Sequence, residues 1–184
     1  CLQAADGIVL GPLDQLVKYD CARCGQFQVT DLAISWLKEK QVSGELFKIS
    51  AYTRERAVSK RPLVTIVSSV ENVGAIACAS IDVESIIGQF PKTISDRLDR
   101  ALGNVQVFSP YPGARFQFNL ENDFPVFLAE NSEACWFIGK ALETEGLIST
   151  NNTMGHINGT LTVEGWDRLS KVEQGSSPAG SKQA

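Results

Sequence analysis

The sequence has one histidine, His156, and one methionine in 184 residues. A single imidazole, with no nucleophile elbow around any serine, leaves no Ser-His-Asp or Cys-His site to be read. Neither G-x-x-x-x-G-K-[ST] nor G-x-G-x-x-G occurs, so the glycine loops that cradle phosphates are missing. No apolar run approaches the length of a membrane span, and no signal peptide is legible, so a cytoplasmic location with no membrane partner is expected. Carboxylates are plentiful, but none pair in a way that separates an acid and a base from a solvated surface. No catalytic residue is expected in this chain.

What is present is a cysteine knuckle. The run Cys21-Ala22-Arg23-Cys24-Gly25 has the spacing that seats one zinc ion on a tight turn, and Gly25 supplies the open backbone. Four-cysteine ribbons place roughly 15–20 residues between two such pairs. Cys1 fits that interval as the second member of a first pair whose partner lies upstream. Cys1, Cys21 and Cys24 are therefore the expected zinc ligands. The fourth position could be an upstream cysteine, a water or nothing. A thiol-redox role is the competing reading, but it calls for C-x-x-C at a helix start. Here the pair precedes an expected strand. Cys78 and Cys135 lie in apolar stretches and read as inert core. The sequence starts without Met and ends in a Gly/Ser/Pro-rich tail, and it reads as an N-terminal piece of a larger protein.

The net charge is −4, unevenly spread. Lys38, Lys40, Lys48, Arg54, Arg56, Lys60 and Arg61 sit in one segment with only Glu39, Glu45 and Glu55. This basic block is the candidate surface for nucleic acid, with Trp36 and Tyr52 nearby for stacking. A solvated helical face is the plainer alternative.

The pattern along the chain predicts α+β: a zinc ribbon, a small helical middle region and a winged-helix unit. Thr30 or Asp31 caps a helix with Leu32, Ala33, Trp36 and Leu37 on one face. Ser43-Gly44 breaks it, and Glu45 to about Lys60 forms a second helix that Pro62 ends. Leu63–Val67 reads as a strand, while Ala75–Ile81 is ambiguous. Asp82 caps a short helix, and Thr93 or Ser95 begins another carrying Leu98, Ala101 and Leu102. Ser109–Gly113 is the strongest internal turn. Asn131 or Ser132 then caps a helix to about Glu145 with Ala134, Phe137, Ile138, Ala141 and Leu142 as its apolar stripe. Gly146 stops it, Leu147–Ser149 pairs with Gly159–Thr162, and a last helix opens near Trp166. His156 falls in the expected wing. The expected units are 1–42, 43–110, 111–172 and a linker over 173–184.

In order along the chain stand Cys21-Ala-Arg-Cys24-Gly25-Gln26-Phe27, Ser50–Glu55, Pro91-Lys92-Thr93, Asp123-Phe124-Pro125 and Leu161–Leu169. With these the sequence resembles the zinc-ribbon and winged-helix N-terminal region of bacterial multidomain proteins. In those proteins the region precedes a TIR-like or deoxyribosyltransferase-like domain associated with anti-phage defence. The resemblance implies a non-catalytic recognition module that senses nucleic acid or another partner and controls a downstream effector domain. Alternatives are an oligomerisation module, with the acidic winged helix as a homo-oligomer interface, and a redox enzyme acting through Cys21 and Cys24. The incomplete first cysteine pair departs from the family pattern.

Overall fold

The computed structural model describes residues 6–10, 16–68, 79–151 and 153–176. Cys1 and Cys78 lie outside them. Strands β1 (Asp6–Leu10), β2 (Leu16–Cys21) and β3 (Gly25–Thr30) pair antiparallel in sequence. Thr30 caps α1 (Asp31–Val42), its hydroxyl accepting from the Ala33 amide at 3.4 Å. Gly44, at φ +76°, turns the chain into α2 (Leu46–Val58). The chain returns as β4 (Val64–Val67), parallel to β3, and β5 (Ala79–Asp82) lies parallel to β4. The sheet order is thus β1-β2-β3-β4-β5.

The stretch expected as a small helical middle region therefore contributes two strands to the sheet that carries the knuckle. Val64, Thr65, Ile66 and Val67 are all buried, the pattern of a strand covered on both faces. The Cys21–Cys24 knuckle sits at the turn of the β2–β3 hairpin of this five-stranded sheet. The Asp82 side chain caps α3 (Val83–Gly88) by accepting from the Ser85 amide at 2.7 Å.

Thr93 caps α4 (Ile94–Phe108). Then follow β6 (Arg115–Asn119), a 3₁₀ turn (Phe124–Phe127), α5 (Ser132–Thr144) capped by Asn131, the β7 (Ile148–Thr150) and β8 (His156–Leu161) hairpin, and α6 (Val163–Ser176). The second sheet is antiparallel in the order β6-β8-β7. The described residues thus form a mixed α+β structure with six α-helices and two sheets. Strand β6 is absent from the sequence-based expectation, although Phe116 and Phe118 alternate with the exposed Arg115 and Gln117. His156, expected in the loop of a wing, opens β8, and the fully exposed Met154 lies in the connection between β7 and β8.

Two cores result. Phe27, Val29, Ala33, Leu37, Ile49, Val64, Ile66 and Ile86 form the first, under α1, α2 and α3. The second gathers Leu102, Phe116, Phe118, Phe127, Ile138, Leu142 and Ile157. Within it the Phe118 ring meets Phe127 edge to face at 5.1 Å. Helix α2 serves both, with Ile49 in the first core and Ala51 in the second. Two helix faces differ from expectation. Leu32 and Trp36 on α1, and Phe137 on α5, project outward, at 68%, 41% and 61% exposure. Each helix buries a narrower stripe than its apolar residues span, because Ala33 with Leu37, and Cys135 with Ile138 and Leu142, complete the contact.

Two glycines in the second unit give opposite expectations. A Cβ on Gly165 would lie 2.1 Å from the Leu147 carbonyl oxygen, whereas one on Gly103 meets nothing within 4 Å. Gly165→Ala should therefore destabilise the protein by about 1–3 kcal/mol. Gly103→Ala, inside α4, should stabilise it by about 0.5–1 kcal/mol. Thermal unfolding of the two variants checks this, and an equal or inverted response would contradict the packing described.

Candidate functional site at the cysteine knuckle

Cys21 ends β2 and pairs in register with Gly25, so Ala22, Arg23 and Cys24 form the turn. Gly25 has φ +76°, and a Cβ there would fall 2.3 Å from that of Ala57 on α2. The turn is thereby pressed onto α2, which buries Cys21 and Cys24 to 4% and 2% exposure. Burial pushes the Cys24 thiol up to about 12, only partly opposed by a hydrogen bond with Ser50, while neighbouring Cys21 adds to the rise. This is the opposite of the depressed value a reactive thiol needs.

Among the described residues no three His, Cys, Asp or Glu side chains gather in a metal-holding group. Cys21 and Cys24 are two adjacent soft donors, half of a tetrahedral set, and the expected third ligand Cys1 is not described. The donors fit zinc as far as they go. A bound zinc would require both as thiolates, so its uptake would release protons and weaken as pH falls.

Sequence reasoning missed the connection behind the turn. Arg54 on α2 donates to the Ala22 carbonyl at 3.1 Å and to Asp123 at 2.6 Å. The second Asp123 oxygen accepts from the Asn119 amide at 2.9 Å, at the end of β6. Arg23 lies over the Phe124 ring at 5.2 Å. The knuckle backbone is thus tied to the second unit through one guanidinium. The weak signal for this in the sequence is Asp123 directly before Phe124-Pro125.

Four cations of the basic block have partners within the protein. Lys40 pairs with Glu84 at 2.8 Å and Glu45 at 3.5 Å, and Lys48 with Glu45 at 2.8 Å. The Glu84 hydrogen bond is the main reason the Lys40 ammonium titrates above its usual value. Arg54 is held by Asp123, and Arg56 donates to the Pro62 carbonyl at 2.8 Å and lies over Tyr52. The side chains of Lys38, Lys60 and Arg61 are exposed and hold no hydrogen bond or ion pair among the described residues.

On α5, Trp136 and Phe137 are exposed beside Glu133. Lys140, over the Trp136 ring at 5.2 Å, pairs with Glu143 at 2.6 Å. Cys135, expected as inert core, is fully buried, and burial raises its thiol to about 12. No protein-family profile, curated protein or solved structure matches this chain.

Two outcomes follow from this geometry. A double-mutant cycle on Arg54→Met and Asp123→Asn should give a coupling of about 1–2 kcal/mol, because both partners are largely withdrawn from water. Additive losses would mean that the pair does not join the units. For Cys135 the folded-state value near 12 exceeds the ordinary 9.0. Between those values the folded chain keeps a proton that the unfolded chain has lost. Stability from this group is therefore complete below about pH 9 and falls as pH rises toward 12. Denaturant unfolding across the accessible alkaline range should show a shallower fall for Cys135→Ala than for the parent. Identical slopes would remove thiol burial as a cause.

Proposed function

We propose that the chain is a non-catalytic recognition and regulatory module of a larger, cytoplasmic bacterial protein, and that a downstream effector domain docks on α5. The observation that carries this reading is the exposed Trp136–Phe137 face. The order α4, β6, 3₁₀ turn, α5, β7–β8 hairpin, α6 suits a winged-helix unit in which α5 takes the recognition-helix position. A DNA-reading helix needs free cations and amides for phosphates and base edges. The only lysine on α5 is occupied by Glu143, and Glu133 repels phosphate. Exposed aromatics with acidic neighbours suit a protein surface instead.

Zinc held by Cys21 and Cys24, with Cys1 as the third ligand, would stiffen the knuckle. Arg54 would carry that order to Asp123 and the second unit. A sensed partner would then act on the effector by binding one of two arrangements more tightly than the other. The resemblance to defence proteins makes a TIR-like or deoxyribosyltransferase-like domain the effector in this reading. Nucleic acid remains the sensed-partner candidate, with Lys38, Lys60 and Arg61 as its contacts. The thiol-redox alternative is opposed by the raised Cys24 thiol.

Hydrogen exchange at α5 tests the docking. Amides around Trp136 should exchange more slowly when the effector domain is attached or added, and Trp136→Ala with Phe137→Ala should abolish the difference. Equal exchange in all cases would overturn the reading. Concentration-dependent mass of this chain alone, lost in the same variant, would replace it with self-association.

Nucleic-acid sensing has a separate measurement, a titration with short single- and double-stranded DNA and RNA at two salt concentrations. Binding should weaken steeply with salt and disappear on charge reversal at Lys38, Lys60 and Arg61. Arg54 is unsuitable for that reversal, because its replacement breaks the tie to Asp123. No binding at low salt would eliminate nucleic acid as the sensed partner.

A further inference from the structure

The outer face of the second sheet carries a polar depression separate from both the knuckle and α5. Phe116, Phe118, Ile148, Ile157 and Leu161 point into the core, so the alternate residues face outward. Register places Arg115 opposite Thr160 and Thr160 opposite Ser149, giving one polar row across all three strands. The next row sets Gln117 opposite Asn158. Asn158 Nδ2 donates to the Asn151 carbonyl at 3.3 Å and the Thr153 hydroxyl at 3.1 Å, which orients that amide. Together these residues line an open depression of about 690 Å³, within the size range of small-ligand sites.

The lining chemistry is selective. Among the described residues it contains amides, hydroxyls and one guanidinium, and no carboxylate, in a chain of net charge −4. Arg54, Arg97, Arg100 and Arg168 each hold a carboxylate. Arg115 is exposed and has no hydrogen bond or ion pair among the described residues. One free guanidinium suits one phosphate group, which it can grip through two parallel N–H donors. Gln117 offers both donors and acceptors, Asn158 offers its carbonyl oxygen because its amide protons are already held, and Thr160 and Ser149 add hydroxyls, a set that matches the hydroxyls of a sugar. Stacking of a base has no support, because the one aromatic in the lining, Phe116, belongs to the core. A polynucleotide would call for cations to track successive phosphates, and the depression has only Arg115.

We propose that this face binds a sugar monophosphate, with its phosphate on Arg115 and its hydroxyls on Gln117, Asn158 and Thr160. The site is independent of the aromatic face of α5, so either can fail without the other.

Calorimetric titration with ribose 5-phosphate, free ribose, inorganic phosphate and a single-stranded oligonucleotide tests this. Ribose 5-phosphate should bind more tightly than inorganic phosphate, and free ribose should bind weakest. Arg115→Ala should weaken ribose 5-phosphate by roughly ten- to a hundredfold, the loss expected for a charge-assisted hydrogen bond. Asn158→Ala should weaken it several-fold, and Arg61→Ala should leave it unchanged. Since Arg115 is exposed and unpaired, its variant should retain the parental unfolding temperature. Absence of ribose 5-phosphate binding at millimolar concentration would overturn the proposal. So would binding indifferent to both Arg115→Ala and Asn158→Ala. An oligonucleotide bound through Arg115 more tightly than ribose 5-phosphate would also overturn it, making the face a polynucleotide surface.

Discussion

The packing of α2 against two cores is the constraint on which the rest of the structure depends. Its Ile49 sits among the residues of the first sheet, and Ala51 two positions on enters the core of the second unit. Small side chains are required where the helix is approached from both sides, and Ala51 and Ala57 meet that need. Ala57 also decides the knuckle, since only glycine at position 25 fits against its methyl. The polar residues of the same helix complete the joint. Arg54 reaches Ala22 and Asp123, and Glu55 accepts from Arg100 on α4 at 2.7 Å.

These pairings explain why a locally basic sequence does not become a basic surface. On α2, Arg54 lies at the boundary between units and meets Asp123, while Lys48 pairs with Glu45 at the start of the helix and Arg56 donates to the Pro62 carbonyl. Each such pair exchanges strong hydration for a fixed partner, so the pairs act more by specifying orientation than by adding stability. Other positive charges carry no hydrogen bond or ion pair among the described residues and remain open to external ligands. They include Lys38 on α1, Lys60 and Arg61 after α2, Lys92 before α4, Arg115 on β6 and Lys171 on α6.

Burial governs the cysteines in the same way. Burial raises the Cys24 thiol, which disfavours thiol exchange there, and a metal ion bound at the knuckle would have to displace its proton. The hairpin places its two sulfurs beneath α2, and Arg54 fixes the backbone between them. Any ion held there would be linked mechanically to the second sheet.

Local signals were legible wherever one residue decides an outcome. Thr30, Asp82, Thr93 and Asn131 cap the helices that start beside them, and Gly146 stops α5 at φ +72°. The β7–β8 hairpin and the burial of Cys135 were also readable, from apolar patterning. Strand β6 was readable in principle from Phe116 and Phe118, whose period of two is short but clear. The joining of β4 and β5 to the knuckle sheet was not, because strand pairing is set by partners distant in sequence. Nor was the outward position of Phe137, since an apolar stripe does not reveal how wide a face its neighbours will cover. The sequence determined the helices, their ends and the candidate zinc donors, all properties of short-range chemistry. Only the tertiary structure decided which cations are free, which aromatics meet solvent and which polar residues share the outer sheet face, because each depends on what packing brings together.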